Sequence, residues 1–237
     1  MIYFVGDDTG HDANKYYVSF LIHDDGVPYL RKSIDAMVSG VKEIVGEFDR
    51  FHFRELLNNF GVCGDSKKEY YDFKGERICN SRESVLTGVV STFTDILCEY
   101  IQKEYIFPVI LVAKLGGEQW ENLLRVGFLS AYSDIKKDEA LLPLLGFDSC
   151  IRYLEEREIY DEIYCIADLS GKVKERQYFY PMSNQQQVNI HFISAVDEPL
   201  LQMADFLAYS YNKMITKDQN DPYNILTAKI HNYYKKL

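Results

Sequence analysis

The chain has 237 residues, of which 47% are hydrophobic and 14% aromatic, far more apolar matter than a disordered chain carries. Its formal net charge of −10 excludes a general attraction to nucleic-acid phosphates, so any phosphate chemistry needs a local basic patch or bound cations. No apolar run approaches the roughly 20 residues that span a bilayer as a helix, so no membrane partner is expected, and five widely spaced cysteines without a CxxC pair argue for a reducing cytoplasm and against a zinc site or disulfide framework.

Met1 to Val5 lacks both a basic segment and a long apolar one, and reads as a strand rather than a leader. Residues 2–6 form an apolar run that ends in an acidic turn, Gly6-Asp7-Asp8-Thr9-Gly10. Tyr16 to Ile22 is a second strand, antiparallel to the first across a long loop. From Ile34 to Phe48 the apolar residues fall at helical spacing. Phe51-His52-Phe53 alternates, and the polar stretch near 61–82 reads as an exposed insertion. Ser84 to Tyr105 predicts a helix and Phe107 to Leu115 a strand bounded by Pro108 and Gly116-Gly117. Two helices follow over 118–134 and 138–158, then a strand over Ile163–Asp168 and another over Val188–Val196. Glu198-Pro199-Leu200 opens a helix that runs to Met214, and a last helix is expected over Ile225–Tyr234. The alternation of strands and helices, with no Pro/Gly/Ser-rich divider, predicts one α/β domain over 1–237 with a mixed central sheet.

The informative acids are those at element ends. Asp7 and Asp8 follow the first strand, Asp168 ends a central one, and Asp197 follows the next. Each alone is an ordinary turn residue. Asp205 differs, because it sits inside the apolar helix Leu201-Gln202-Met203-Ala204-Asp205-Phe206-Leu207, where a carboxylate needs a partner or a cation. Carboxylates from separate segments are the usual ligands of Mg²⁺ or Mn²⁺, which leave waters for a substrate to replace.

Through Asp7-Asp8-Thr9-Gly10, Phe51-His52-Phe53-Arg54-Glu55-Leu56, Val112-Ala113-Lys114, Ile166-Ala167-Asp168 and Gln202-Met203-Ala204-Asp205, the chain resembles the domain-of-unknown-function family 3800, a prokaryotic and phage group placed with RNase H-like folds. The resemblance covers most of the chain. It implies an RNase H-like sheet and a metal-dependent phosphodiesterase or nuclease, with DNA or RNA as partner. On that reading Asp7, Asp168 and Asp205 ligate Mg²⁺ or Mn²⁺, Asp8 or Glu55 completes the shell, and His52 moves a proton. Lys114 and the basic loop residues Lys172, Lys174 and Arg176 would hold phosphates. Gln202, one turn before Asp205, would fix a carboxylate by hydrogen bonding. The family's opening pair is Asp-Glu where this chain has Asp7-Asp8, and Asp197 to Leu201 lacks the family's Ser and Lys. Those departures motivate a second reading, a catalytically degenerate RNase H-like module that binds a protein or nucleic-acid partner, with Tyr70-Tyr71-Asp72-Phe73 and Tyr178-Phe179-Tyr180 as contact surfaces.

Overall fold

The structure is a computed structural model that describes residues 1–10, 15–45, 48–53, 82–115, 141–157, 162–168, 176–181, 187–217, 219–220 and 222–237. Strands β1 (Ile2–Thr9) and β2 (Lys15–His23) pair antiparallel, from Ile2 opposite His23 to Thr9 opposite Tyr16. Helices α1 (Val27–Val45) and α2 (Arg82–Gln102) precede β3 (Ile106–Leu115), which runs antiparallel to β2. Helix α3 (Leu141–Glu155) leads to β4 (Ile163–Asp168), β5 (Arg176–Pro181) and β6 (Gln187–Ile193). Helix α4 (Leu200–Thr216), the short α5 (Pro222–Thr227) and a 3₁₀ turn (Ala228–Tyr233) end in β7 (Tyr234–Lys236).

These strands make one mixed sheet in the order β5-β6-β4-β1-β2-β3-β7. Strand β4 runs parallel to β1 and to β6, while β5 is antiparallel to β6 and β7 parallel to β3. The inner strands are buried on both faces, which is why they read as apolar runs rather than as alternating ones. On one face Val5, Val18, Phe20, Ile110, Val112 and Ile166 share a core with Phe93 and Leu97 of α2 and with Leu201, Ala204, Leu207 and Ala208 of α4. The other face carries Phe4 and Tyr17, whose rings meet Phe147 of α3 at 6.4 and 5.2 Å. Among the described residues no helix is long and apolar enough to cross a membrane.

Four expectations change. The segment Asp7-Asp8-Thr9 belongs to β1, not to a turn, because Tyr16 to Val18 continue the ladder opposite it. The bend begins at Gly10, whose φ of 92° suits glycine. Helix α1 starts seven residues before the predicted Ile34, adding the buried Val27 and Leu30. Pro108 lies inside β3, where β7 does not pair and the β2 register slips between Phe20 and Ile22, so its missing N–H leaves the β7 ladder intact. The predicted terminal helix is instead α5, a 3₁₀ turn and a strand, held by the Tyr234 hydroxyl donating to the Leu207 carbonyl at 2.9 Å. The predicted helix over 118–134, Tyr70 to Phe73 and residues 61–81 of the polar insertion lie outside the described residues.

Gly146 tests the packing on the α3 face. A Cβ at this helical position would overlap the ring of Tyr17, which is fully buried. Gly→Ala within a helix ordinarily stabilises by about 0.5–1 kcal/mol. Here Gly146→Ala is expected to destabilise by about 1–3 kcal/mol through overpacking, seen as a lower urea midpoint at unchanged slope. A midpoint at or above that of the wild type contradicts this packing.

Candidate functional site

The site starts from the Phe51-His52-Phe53 segment. Phe51 and Phe53 are buried and His52 is half-exposed, as the alternation requires. Phe51 meets Phe93 at 5.1 Å, and Phe53 meets Phe93 at 4.8 Å and Phe206 at 5.1 Å, so the segment is wedged between α2 and α4. Burying each ring contributes about 1.5–3 kcal/mol. The outcome is that His52 faces outward from an apolar anchor on either side.

Helix α4 holds this segment by hydrogen bonds as well. Gln202 is buried; its Oε1 accepts from Phe51 N–H at 2.9 Å, and its Nε2 donates to the Ala195 carbonyl at 3.1 Å. One turn on, Asp205 Oδ2 accepts from Phe53 N–H at 2.7 Å. On the sheet, Asp168 Oδ1 accepts from Ala195 N–H at 3.2 Å. Main chain from two loops therefore orients both carboxylates, with Gln202 tying those loops together. The expected hydrogen bond from Gln202 to a carboxylate is replaced by these two bonds to main chain. Glu198 is also structural: it pairs with Arg31 of α1, with Arg31 Nε donating at 3.0 Å, and accepts from Leu200 N–H at 3.1 Å at the start of α4.

Strand pleating sends Asp7 and Asp168 to the face that α4 covers. Asp7, Asp168, Asp205 and His52 all line one cavity of about 440 Å³, together with Asp8, Thr9, Gly10, Tyr209, Asn212, Lys213, Thr216 and Lys217. Burial, then the charges of Asp205, Asp8 and Asp168, push the Asp7 carboxyl well above the usual carboxylate range, and only the Asp8 N–H, 2.8 Å from Asp7 Oδ1, opposes them strongly. Burial pushes Asp205 up to about 6, against the pull of His52, of the Phe53 N–H and of Arg50. His52 Nδ1 lies 3.6 Å from Asp205 Oδ2, too far for a hydrogen bond, and is buried with no hydrogen-bond partner among the described residues.

Among the described residues no three His, Cys, Asp or Glu side chains are drawn together as a ready metal shell. The donor chemistry nevertheless fits a hard cation. Three carboxylates from β1, β4 and α4 face one cavity, and none of the groups acting most strongly on Asp7 is a cation. The orphaned His52 nitrogen beside Asp205 is a further unused polar atom.

Other expected residues are placed elsewhere. Lys114 is exposed on β3 opposite Tyr16 and is not part of the cavity wall, and Asp197 is exposed in the turn before α4. Arg176 opens the edge strand β5 instead of sitting on the loop after Asp168, and Tyr178 to Tyr180 lie in the same strand. Glu55, Lys172 and Lys174 lie outside the described residues. Tyr209, Asn212, Lys213 and Thr216 were not anticipated, although they follow Asp205 by four, seven, eight and eleven residues, the spacing of one helix face. The chain matches no family model, no curated protein and no solved structure.

The raised carboxyls set a pH dependence. Between the ordinary 3.8 and about 6 the folded state holds a proton at Asp205 that the unfolded state has released, so stability falls as pH rises through this window. The cost is absent below about pH 4 and complete above about 6, amounting to about 2–3 kcal/mol. Asp7→Asn and Asp205→Asn are each expected to raise urea stability at pH 7.5 in chelator, Asp205→Asn by about 1–3 kcal/mol, and to change it little at pH 4. Destabilisation at pH 7.5 would show that the buried charge is already compensated.

Proposed function

We propose that this chain is a divalent-metal-dependent phosphodiesterase acting on nucleic acid, with an RNase H-like fold akin to the domain-of-unknown-function family 3800. One observation carries the reading: Asp7, Asp168 and Asp205, from three separate elements, line one cavity in which Asp7 is crowded by other carboxylates. The mixed sheet, with an antiparallel β1-β2-β3 set beside the parallel pair β1 and β4, supports the fold assignment.

Asp7, Asp168 and Asp205 would hold Mg²⁺ or Mn²⁺, with Asp8 at the same cavity wall. A bound ion supplies the charge that activates water and stabilises the oxygens of a phosphodiester in displacement. The chain's own contributions are positional. Gln202 and the Phe53 and Ala195 amides fix the two carboxylates that would otherwise repel each other and Asp7. His52, half-exposed at the cavity wall beside Asp205, would move a proton between the cavity and solvent.

The assay is cleavage of single- and double-stranded DNA and RNA with Mg²⁺ or Mn²⁺, by the wild type and by Asp7→Asn and Asp205→Asn. Outer-shell changes at metal sites already lower activity about 10–100-fold, so loss of a direct ligand is expected to cost at least about 100-fold. Cleavage by the wild type that both variants retain removes these residues from the mechanism. No cleavage of any substrate leaves the degenerate binding module as the better reading.

A further inference from the structure

The cavity has two chemically different ends. Acids occupy the end formed by β1, β4 and the middle of α4, whereas the end of α4 supplies Tyr209, Asn212, Lys213, Thr216 and Lys217. Among the described residues neither Lys213 nor Lys217 forms an ion pair. The Lys213 ammonium stands 5.4 Å from the centre of the Tyr209 ring, which holds it in place without neutralising it. The local backbone is fixed too: Thr216 Oγ1 donates to the Asn212 carbonyl at 2.6 Å, and the Lys213 carbonyl accepts from Lys217 N–H at 2.9 Å and from Asn224 Nδ2 at 3.3 Å. In a chain of net charge −10, two lysines in the wall of an acid-bearing cavity are a local reversal of sign.

Resting on the reading of this cavity as a phosphodiester site, we propose that the end of α4 is a second phosphate subsite, where Lys213 and Lys217 grip a phosphate further along the chain from the bond to be cleaved, so that the substrate is a single nucleic-acid strand. Lys213 follows Asp205 by eight residues, about 12 Å along the helix axis. Helical side chains lean towards the N-terminus, which carries the Lys213 ammonium back over Tyr209 towards the acids, while Lys217 follows the helix on extended backbone and lines the same cavity. A ligand with one phosphate at the acids leaves the lysines unmet, whereas a strand, with a charge about every 3.4 Å, brings further phosphates along that distance. A duplex, whose major groove alone is about 12 Å wide, does not enter a cavity of small-ligand size. Tyr209 is a positioning residue for Lys213.

The test is fluorescence anisotropy of a short labelled DNA or RNA single strand with Ca²⁺ in place of Mg²⁺, over a range of salt. Competitors are a duplex of the same sequence and a nucleoside monophosphate. The Lys213→Gln/Lys217→Gln double variant is expected to bind at least about tenfold more weakly, and to lower the slope of log affinity against log salt by about 1.4, from two contacts at about 0.7 each. The double Lys→Arg variant is expected to bind like the wild type, and an unchanged melting temperature shows that the Gln variant is folded. An unchanged salt slope, equal competition by duplex or monophosphate, or no single-strand binding by the wild type overturns the subsite. Stabilisation of the wild type by Mn²⁺ is read separately. If it occurs while the salt slope stays unchanged, only the subsite falls; if the slope drops without it, the subsite stands and the metal reading falls.

Discussion

The arrangement depends on one buried amide. Gln202 lies inside the core with both ends of its side chain committed to main chain, one to the segment before α2 and the other to the turn after β6. Each of those segments also donates an N–H to a carboxylate, Phe53 to Asp205 and Ala195 to Asp168. An unmade buried hydrogen bond costs about 1–3 kcal/mol for each group left alone, so Gln202 makes other placements of the two loops expensive. Like charges are thereby held in one cavity by backbone geometry, backed by the aromatic packing of Phe51, Phe53, Phe93 and Phe206.

The electrostatic consequence is a site under tension. Asp7 lies among carboxylates in a place where burial already disfavours charge, and Asp205 is relieved only in part by His52, Arg50 and an amide. Structural acids in cores normally meet an arginine with good geometry, as Glu198 meets Arg31. Glu198 and Asp205 therefore illustrate two uses of a poorly exposed carboxylate on or beside the same helix. One is neutralised within the protein and pins α1 to α4; the other faces a cavity with its charge incompletely balanced.

Much of this was legible in the sequence where a local pattern had one physical meaning. The apolar runs of β1, β2, β3 and β4 gave the strands, and a carboxylate inside Leu201 to Leu207 marked Asp205, since no ordinary surface role suits that position. The alternation in Phe51-His52-Phe53 foretold which residues would be buried, but not which helices they would meet. Sequence reasoning failed where pairing across the sheet decided the outcome. Asp7 to Thr9 look like a turn until β2 is laid beside them, and the final residues look helical until β3 offers Tyr234 to Lys236 an edge. The cationic end of α4 is less legible for a different reason: Tyr209, Asn212 and Lys213 fall inside the expected helix, but nothing local marks polar residues near a helix end as facing Asp205, and Thr216 and Lys217 lie beyond its expected end at Met214. Lys114 enters through the resemblance at Val112-Ala113-Lys114, yet its position on β3 leaves it out of the cavity wall.

Anomalous diffraction from crystals saturated with Mn²⁺ tests the proposal that Asp7, Asp168 and Asp205 share a divalent cation. A shared cation gives a strong anomalous peak in the cavity with oxygen atoms of all three carboxylates about 2.1 Å away, within the range of hard-cation coordination. Saturated crystals in which the three carboxylates remain apart, with no peak between them, would contradict it.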